Sequence, residues 1–134
     1  MANATITPYL LYEDLGSAMD WLARAFGFRE ILRHAGPDGK ATHAEMQFGE
    51  DGRIMMGHPG AQYRNPKHLG HRTHNLYVRV ADVDNLFERA VHAGAAIVEE
   101  PADQPYGERR CGVDDPEGHR WYFAQPIVRQ PQRS

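Results

Sequence analysis

The sequence has a single cysteine, Cys111, so no internal disulfide is available and a reducing compartment is the expected setting. Cys111 reads as a small buried residue, because no obvious general base stands beside it. Lysine is scarce and the arginines are scattered. With a formal net charge of -3 and no dense basic stripe to neutralise phosphates, a nucleic-acid footprint is excluded. No apolar run approaches the ~20 residues of a membrane span. The first residues, Met1 to Thr5, carry neither the charged nor the apolar part of a signal peptide, so the cytoplasm is the expected location. A HExxH motif and a C-x-x-C pair are lacking too. The 134 residues suit one domain, spanning 1–134.

What is present is an internal repeat. Tyr9-Leu-Leu-Tyr-Glu-Asp14 reads as a strand ending in a helix-capping aspartate, and Tyr77-Val-Arg-Val-Ala-Asp82 repeats it 68 residues later. Leu15, Ala18, Met19, Leu22, Ala25 and Phe26 recur at helical spacing up to Gly27; Val83, Leu86, Phe87, Ala90 and Val91 do so up to Gly94. Around these helices the pattern predicts strands over Thr5–Tyr12, Phe28–His34, Ala41–Phe48 and Arg53–His58. In the second half it predicts Thr73–Val80, Ala95–Glu99, Glu108–Val113 and His119–Ala124. The strands are separated by turns such as Gly36-Pro-Asp-Gly39 and Asp115-Pro-Glu-Gly118. Each half is therefore a βαβββ module, 5–58 and 73–125, joined by a linker over 59–72 whose Tyr63, Arg64 and His68 are candidates to reach inward. The tail after Pro126 is polar and is expected to be mobile. Trp21, between the apolar stripe and the wet face of its helix, is placed at a domain or subunit boundary.

Asp14 to Gly27, Asp82-Val-Asp84, Ala93-Gly94-Ala95 and Asp115-Pro-Glu-Gly118, in two tandem βαβββ modules, resemble the vicinal oxygen chelate superfamily, which includes glyoxalase I, extradiol dioxygenases and bleomycin resistance proteins. The resemblance covers residues 5 to 125. It implies an α+β fold in which the modules form a curved, cup-shaped mixed sheet with helices outside. It also implies a homodimer, and, in the family's metal enzymes, ligands on the first and last strand of each module. Counting from Asp14 and Asp82 puts the first-strand positions at Thr7 and Asn75; counting four from Gly52 and Gly118 puts the last-strand positions at Met56 and Tyr122. Thr, Met, Asn and Tyr are not the converging deprotonated donors a divalent ion needs. Shifting each frame by one residue offers one histidine at most, His74. No cofactor is therefore expected, with a divalent metal as the alternative and an unusual site from His43, Glu45, His58 and His74 left open.

Period-2 geometry sorts the strands into faces. His43, Glu45 and Gln47 share one face while Ala44, Met46 and Phe48 pack on the other. Thr7, Tyr9 and Leu11, Asn75, Tyr77 and Arg79, and Arg120, Tyr122 and Ala124 are assigned to the cavity side in the same way. His58 joins the candidate ligand contacts. Tyr106 and Arg110 follow the turn at Pro105, where the second module's middle strand meets the cup, and a solvated edge is the competing reading. The pocket is amphipathic, with tyrosines to stack on planar groups and arginines to hold anions. The leading functional reading is a metal-independent small-molecule binding protein of the bleomycin-resistance type, sequestering an aromatic or cationic antibiotic or metabolite. Two alternatives stand beside it: a metal-dependent lyase or dioxygenase of the glyoxalase I type, and a metal-independent isomerase or epimerase with Glu45 as base.

Overall fold

The computed structural model describes residues 4–127. In the first half, β1 (Tyr9–Leu11) leads to α1 (Leu15–Phe26), then β2 (Arg29–Ala35), β3 (Ala41–Phe48) and β4 (Gly52–Gly57). A connection carrying the short helix α2 (Pro66–Leu69) enters the second half. There β5 (Leu76–Arg79) leads to α3 (Val83–His92), β6 (Ala96–Asp103), β7 (Glu108–Asp114) and β8 (Arg120–Pro126). The two four-stranded sheets have the orders β1-β4-β3-β2 and β5-β8-β7-β6. In each, the first strand runs parallel to the last, and the remaining pairs are antiparallel.

Local chemistry sets these elements. The Asp14 carboxylate accepts from the Ser17 amide at 3.1 Å and from the Ser17 hydroxyl at 2.9 Å, capping α1. Asp82 accepts from the Asn85 amide at 3.1 Å and caps α3 in the same way. Gly27 ends α1 at φ 89°, a left-handed turn that a side chain would strain. β1 is shorter than Thr5–Tyr12 because Pro8 has no N–H to give to a ladder. Its carbonyl still accepts from the Met55 amide at 2.9 Å. β6 runs on past Glu99 to Asp103 because it is the edge of its sheet, where Pro101 leaves no neighbour short of a donor and register shifts near Glu99 absorb the irregularity. The tail from residue 128 lies outside the described residues.

One core serves both modules. The α1 stripe packs on Leu10, Ala44, Met46, Ile54 and Met56, while Val83, Leu86 and Ala90 of α3 share a continuous cluster with Cys111, Val113, Trp121 and Phe123. Phe26 is the junction. Its ring lies 5.1 Å from Trp21, 5.2 Å from Trp121 and 4.7 Å from Phe123, so a first-module side chain sits in the second module's core. Trp21 holds the boundary as its position suggests, donating its indole N–H to the Ala93 carbonyl at 2.7 Å. Cys111 is fully buried, and burial pushes its thiol up to about 11.

The Asp115-Pro-Glu-Gly118 turn joins the modules a second time. The buried Asp115 carboxylate accepts from the Tyr12 hydroxyl at 2.7 Å, the Trp121 indole at 3.1 Å, and the amides of Glu117 and His119, each at 3.0 Å. Burial raises its proton affinity, and His119, then the Tyr12 and Trp121 hydrogen bonds, oppose that rise. The Tyr12 hydroxyl is held well above its ordinary value by burial and then by Asp115. Glu117 reaches the start of α1, accepting from the Glu13 and Asp14 amides at 2.6 and 2.9 Å and from the Asn65 side chain at 2.9 Å.

Candidate functional site

α1 and α3 cover one face of each sheet, which leaves the opposite faces open. On the first sheet the open face carries Tyr9, His43, Glu45 and Gln47, as the alternation predicts, together with Arg53 and Met55. Tyr9 is 49% exposed, and its hydroxyl lies 2.8 Å from His43 Nδ1. Glu45 lies 3.8 Å from Arg53 with its side chain 17% exposed. A hollow of about 430 Å³ runs past Thr7, Glu45, Gln47, Arg53 and Met55.

On the second sheet the open face carries Tyr77, Arg79, Arg110 and Tyr122. The Tyr77 and Tyr122 rings stack with centroids 6.3 Å apart and planes 29° apart. The Arg110 guanidinium lies 4.9 Å above the Tyr122 ring and is pinned there by a two-bond pair with Glu99 at 2.7 and 3.1 Å. Glu108 accepts from Tyr77 at 3.1 Å and lies 3.5 Å from Arg79. Although Tyr77 is 50% exposed, partial burial of its hydroxyl, then hydrogen bonding with Tyr106 and Glu108, raises its proton affinity. Tyr106 stands at the β6–β7 turn as an exposed extension of this aromatic row. Every guanidinium on this face has a carboxylate partner: Arg79 with Glu108, Arg110 with Glu99, Arg120 with Asp114. The face is therefore a stacking surface and not a trap for net charge.

Several expectations change. Met56 is fully buried under α1 and not at the open face; Met55 takes the position expected of it. The cause is the pair of glycines used for counting: Gly52 is the first residue of β4, whereas Gly118 precedes β8 by two residues. The strand pairing equates Tyr122 with Met55, since Tyr9 pairs Met55 and Tyr77 pairs Tyr122. His58 falls on the helix side with Met56, its Nδ1 lying 3.2 Å from the Tyr12 carbonyl. The alternative grouping of His43, Glu45, His58 and His74 does not assemble, because His58 is on the wrong side of its sheet and His74 lies beside His119 in the second module. The linker residues do not reach inward either. Tyr63 donates to the Leu11 carbonyl, His68 bonds Glu13, and Arg64 bonds carbonyls of its own loop. Asn75 lines a groove of about 950 Å³ between the modules, along with Ile6, Phe48, Leu76 and Tyr77. Among the described residues, neither the 430 Å³ hollow nor the 950 Å³ groove joins Tyr9, His43 or Glu45 to Arg110 or Tyr122. Sequence reasoning missed Arg53, Glu99 and Glu108, and reached Met55 only as a one-residue shift of frame from Met56; the right anchor gives it directly.

The model of the Glyoxalase/Bleomycin resistance protein/Dioxygenase superfamily matches residues 5–123. The chain belongs to that superfamily. An uncharacterised Mycobacterium tuberculosis protein (strain ATCC 25618 / H37Rv) is 35% identical over 127 residues, covering 91% of this chain and 74% of that one. TioX from Micromonospora sp. ML1 is 38% identical, with a TM-score of 0.76 over 93% of this chain and 100% of that one. TnmS3, described as an antibiotic binding protein from Streptomyces sp. CB03234, is 22% identical. It shares the fold at a TM-score of 0.69 over 94% of this chain and 98% of that one.

Superfamily metal chemistry needs donors, and this member does not offer them. With the register corrected, Thr7, Met55, Asn75 and Tyr122 occupy the four positions, and the guanidiniums of Arg53 and Arg120 lie on the same two faces. Hydroxyls, an amide and a thioether beside fixed positive charges do not fit a divalent cation. Among the described residues no group of three His, Cys, Asp or Glu side chains could hold a metal ion, and no helix is long and apolar enough to cross a membrane.

Proposed function

We propose that this chain is a small-molecule binding protein that stacks a planar aromatic ligand, without changing any bond, between the open face of one sheet and the open face of the other. The observation that carries it is the second-sheet row of Tyr77, Tyr122 and the ion-paired Arg110, left open to solvent opposite its helix. Flat π-faces backed by a neutralised guanidinium favour a flat, uncharged or zwitterionic partner over a simple ion. The first sheet adds the half-exposed Tyr9, with His43, Glu45 and Gln47 as hydrogen-bonding groups around it. In this reading Glu45, beside Arg53, is part of the polar wall.

The two faces meet through a second copy of the chain. A two-fold dimer lays the first sheet of each protomer against the second sheet of its partner and forms two equal cups. Half-exposed tyrosines on open sheet faces are the surface such an arrangement would cover. TnmS3, described as an antibiotic binding protein, shares this fold, so the fold is compatible with that class of ligand.

The test uses two uncharged three-ring probes. Acridone is flat, and its binding is read from its own fluorescence; triphenylmethanol is propeller-shaped and is read by competition. The account expects acridone to bind at least about tenfold more tightly, and to raise stability by about 2.7 kcal/mol at one hundred times its dissociation constant. Binding of neither probe, or preference for the propeller, refutes a planar ligand.

A further inference from the structure

Two glycines on the open faces have no conformational reason to be glycine. Gly57 in β4 and Gly112 in β7 are buried, and neither has a positive φ. Inside a strand a glycine weakens the pairing relative to alanine, so space is the remaining reason for its presence. At position 57 a Cβ would stand 2.7 Å from the Tyr9 hydroxyl oxygen, 2.9 Å from Cε1 and 3.2 Å from Cζ. At position 112 it would stand 2.9 Å from Tyr122 Cε1, 3.0 Å from Cδ1 and 3.2 Å from Glu99 Cγ. In both places a tyrosine ring rests directly on the backbone.

The two seats are not copies made by the repeat. Met55 corresponds to Tyr122, and Met55 pairs Glu45 of β3, so the counterpart of Gly112 is Glu45; Gly57, two residues past Met55, corresponds to Ala124. Each module thus brings a tyrosine close against its sheet by its own glycine. Restoring ordinary carbon contacts of about 3.5–4.0 Å would lift either ring by roughly 1 Å. At Tyr9 that also strains the 2.8 Å contact with His43; at Tyr122 it disturbs the stack with Tyr77 and Arg110.

We infer that Gly57 and Gly112 are specificity-determining positioning residues, which let Tyr9 and Tyr122 sit close against their strands and so reserve the cup for thin, planar ring systems. They act through the tyrosines and need not touch the ligand. The inference rests on the planar-ligand reading above.

The experiment measures acridone and triphenylmethanol binding to full-length wild type, Gly57→Ala, Gly112→Ala, Tyr9→Leu, and the double variant Tyr9→Leu with Gly57→Ala. Each glycine variant is expected to lose about tenfold in acridone affinity, with the weak propeller binding little changed, so that the ratio between probes falls. Because the three atoms nearest a Cβ at position 57 all belong to Tyr9, the double variant should match Tyr9→Leu alone. A general loss of structure would weaken both probes together and would leave the double variant worse than the single, overturning the inference. If Gly57→Ala fails to fold, Gly112→Ala and the double variant carry the same comparison. Wild-type acridone binding retained in both glycine variants overturns the inference while the planar-ligand reading stands. Wild type that does not prefer acridone removes that reading and the inference with it.

Discussion

Replacing Asp115 by asparagine tests the junction between the modules at a single atom. The shape of the side chain is kept, but one acceptor oxygen becomes an amide donor. Asp115 Oδ1 serves the amides of Glu117 and His119, and Oδ2 serves the Tyr12 hydroxyl and the Trp121 indole. The cheaper orientation keeps oxygen toward the two amides and points the new NH2 at Tyr12 and Trp121. Tyr12 can rotate its hydrogen and accept; Trp121 has only an N–H to offer and is left facing another donor. A buried unpaired donor costs about 1–3 kcal/mol, and the bonds that remain lose their charge assistance. Relief of the desolvated charge offsets part of this, giving a net loss of about 2 kcal/mol. For a chain of this size that lowers Tm by roughly 6–10 °C, read by thermal and urea unfolding at fixed protein concentration. Tyr12→Phe should cost less, about 1 kcal/mol, since the carboxylate keeps three donors. A shift below about 2 °C for Asp115→Asn would mean that the carboxylate is not held as described.

Three further outcomes follow from the core and the linker. Phe26→Ala removes the ring that enters the second module's core and should cost about 3–5 kcal/mol by chemical denaturation. Cys111, buried and with its thiol pushed up to about 11, should resist a thiol-reactive disulfide reagent at pH 8 and react only as denaturant unfolds the chain. The Glu13 carboxyl is held below its ordinary value, first by the Asn65 amide and then by His68. A depressed carboxyl stabilises above its unfolded pKa and loses that effect as pH falls through the folded one. The stability gap between wild type and Glu13→Gln should therefore be full near pH 6 and close as pH falls below about 4.5.

The repeat, the helices and the faces were legible because each depends on short-range chemistry. An aspartate caps the helix that follows it, and alternation puts Glu45 opposite Met46 whatever the rest of the chain does. Register was less legible. Counting from Gly52 puts Met56 at the open face because one wrong anchor moves every second residue, and two turns of unequal length cannot be aligned from their glycines. Features made between distant residues were invisible in the sequence. Asp115-Pro-Glu-Gly118 reads as a turn, yet its carboxylates bind Tyr12, Trp121 and the start of α1. Gly57 and Gly112 fall inside expected strands, and nothing local in the sequence marks the rings that cover them.

The most direct test of a cup shared between two chains mixes two defective ones. Tyr9→Ala damages the first-sheet wall and Tyr122→Ala the second, and each variant alone should bind acridone poorly. After mixing equal amounts and allowing subunits to exchange, every mixed dimer regains one cup with Tyr9 from one protomer and Tyr122 from the other, or about one intact cup per four chains at wild-type affinity. No recovery after demonstrated exchange would contradict the shared cup.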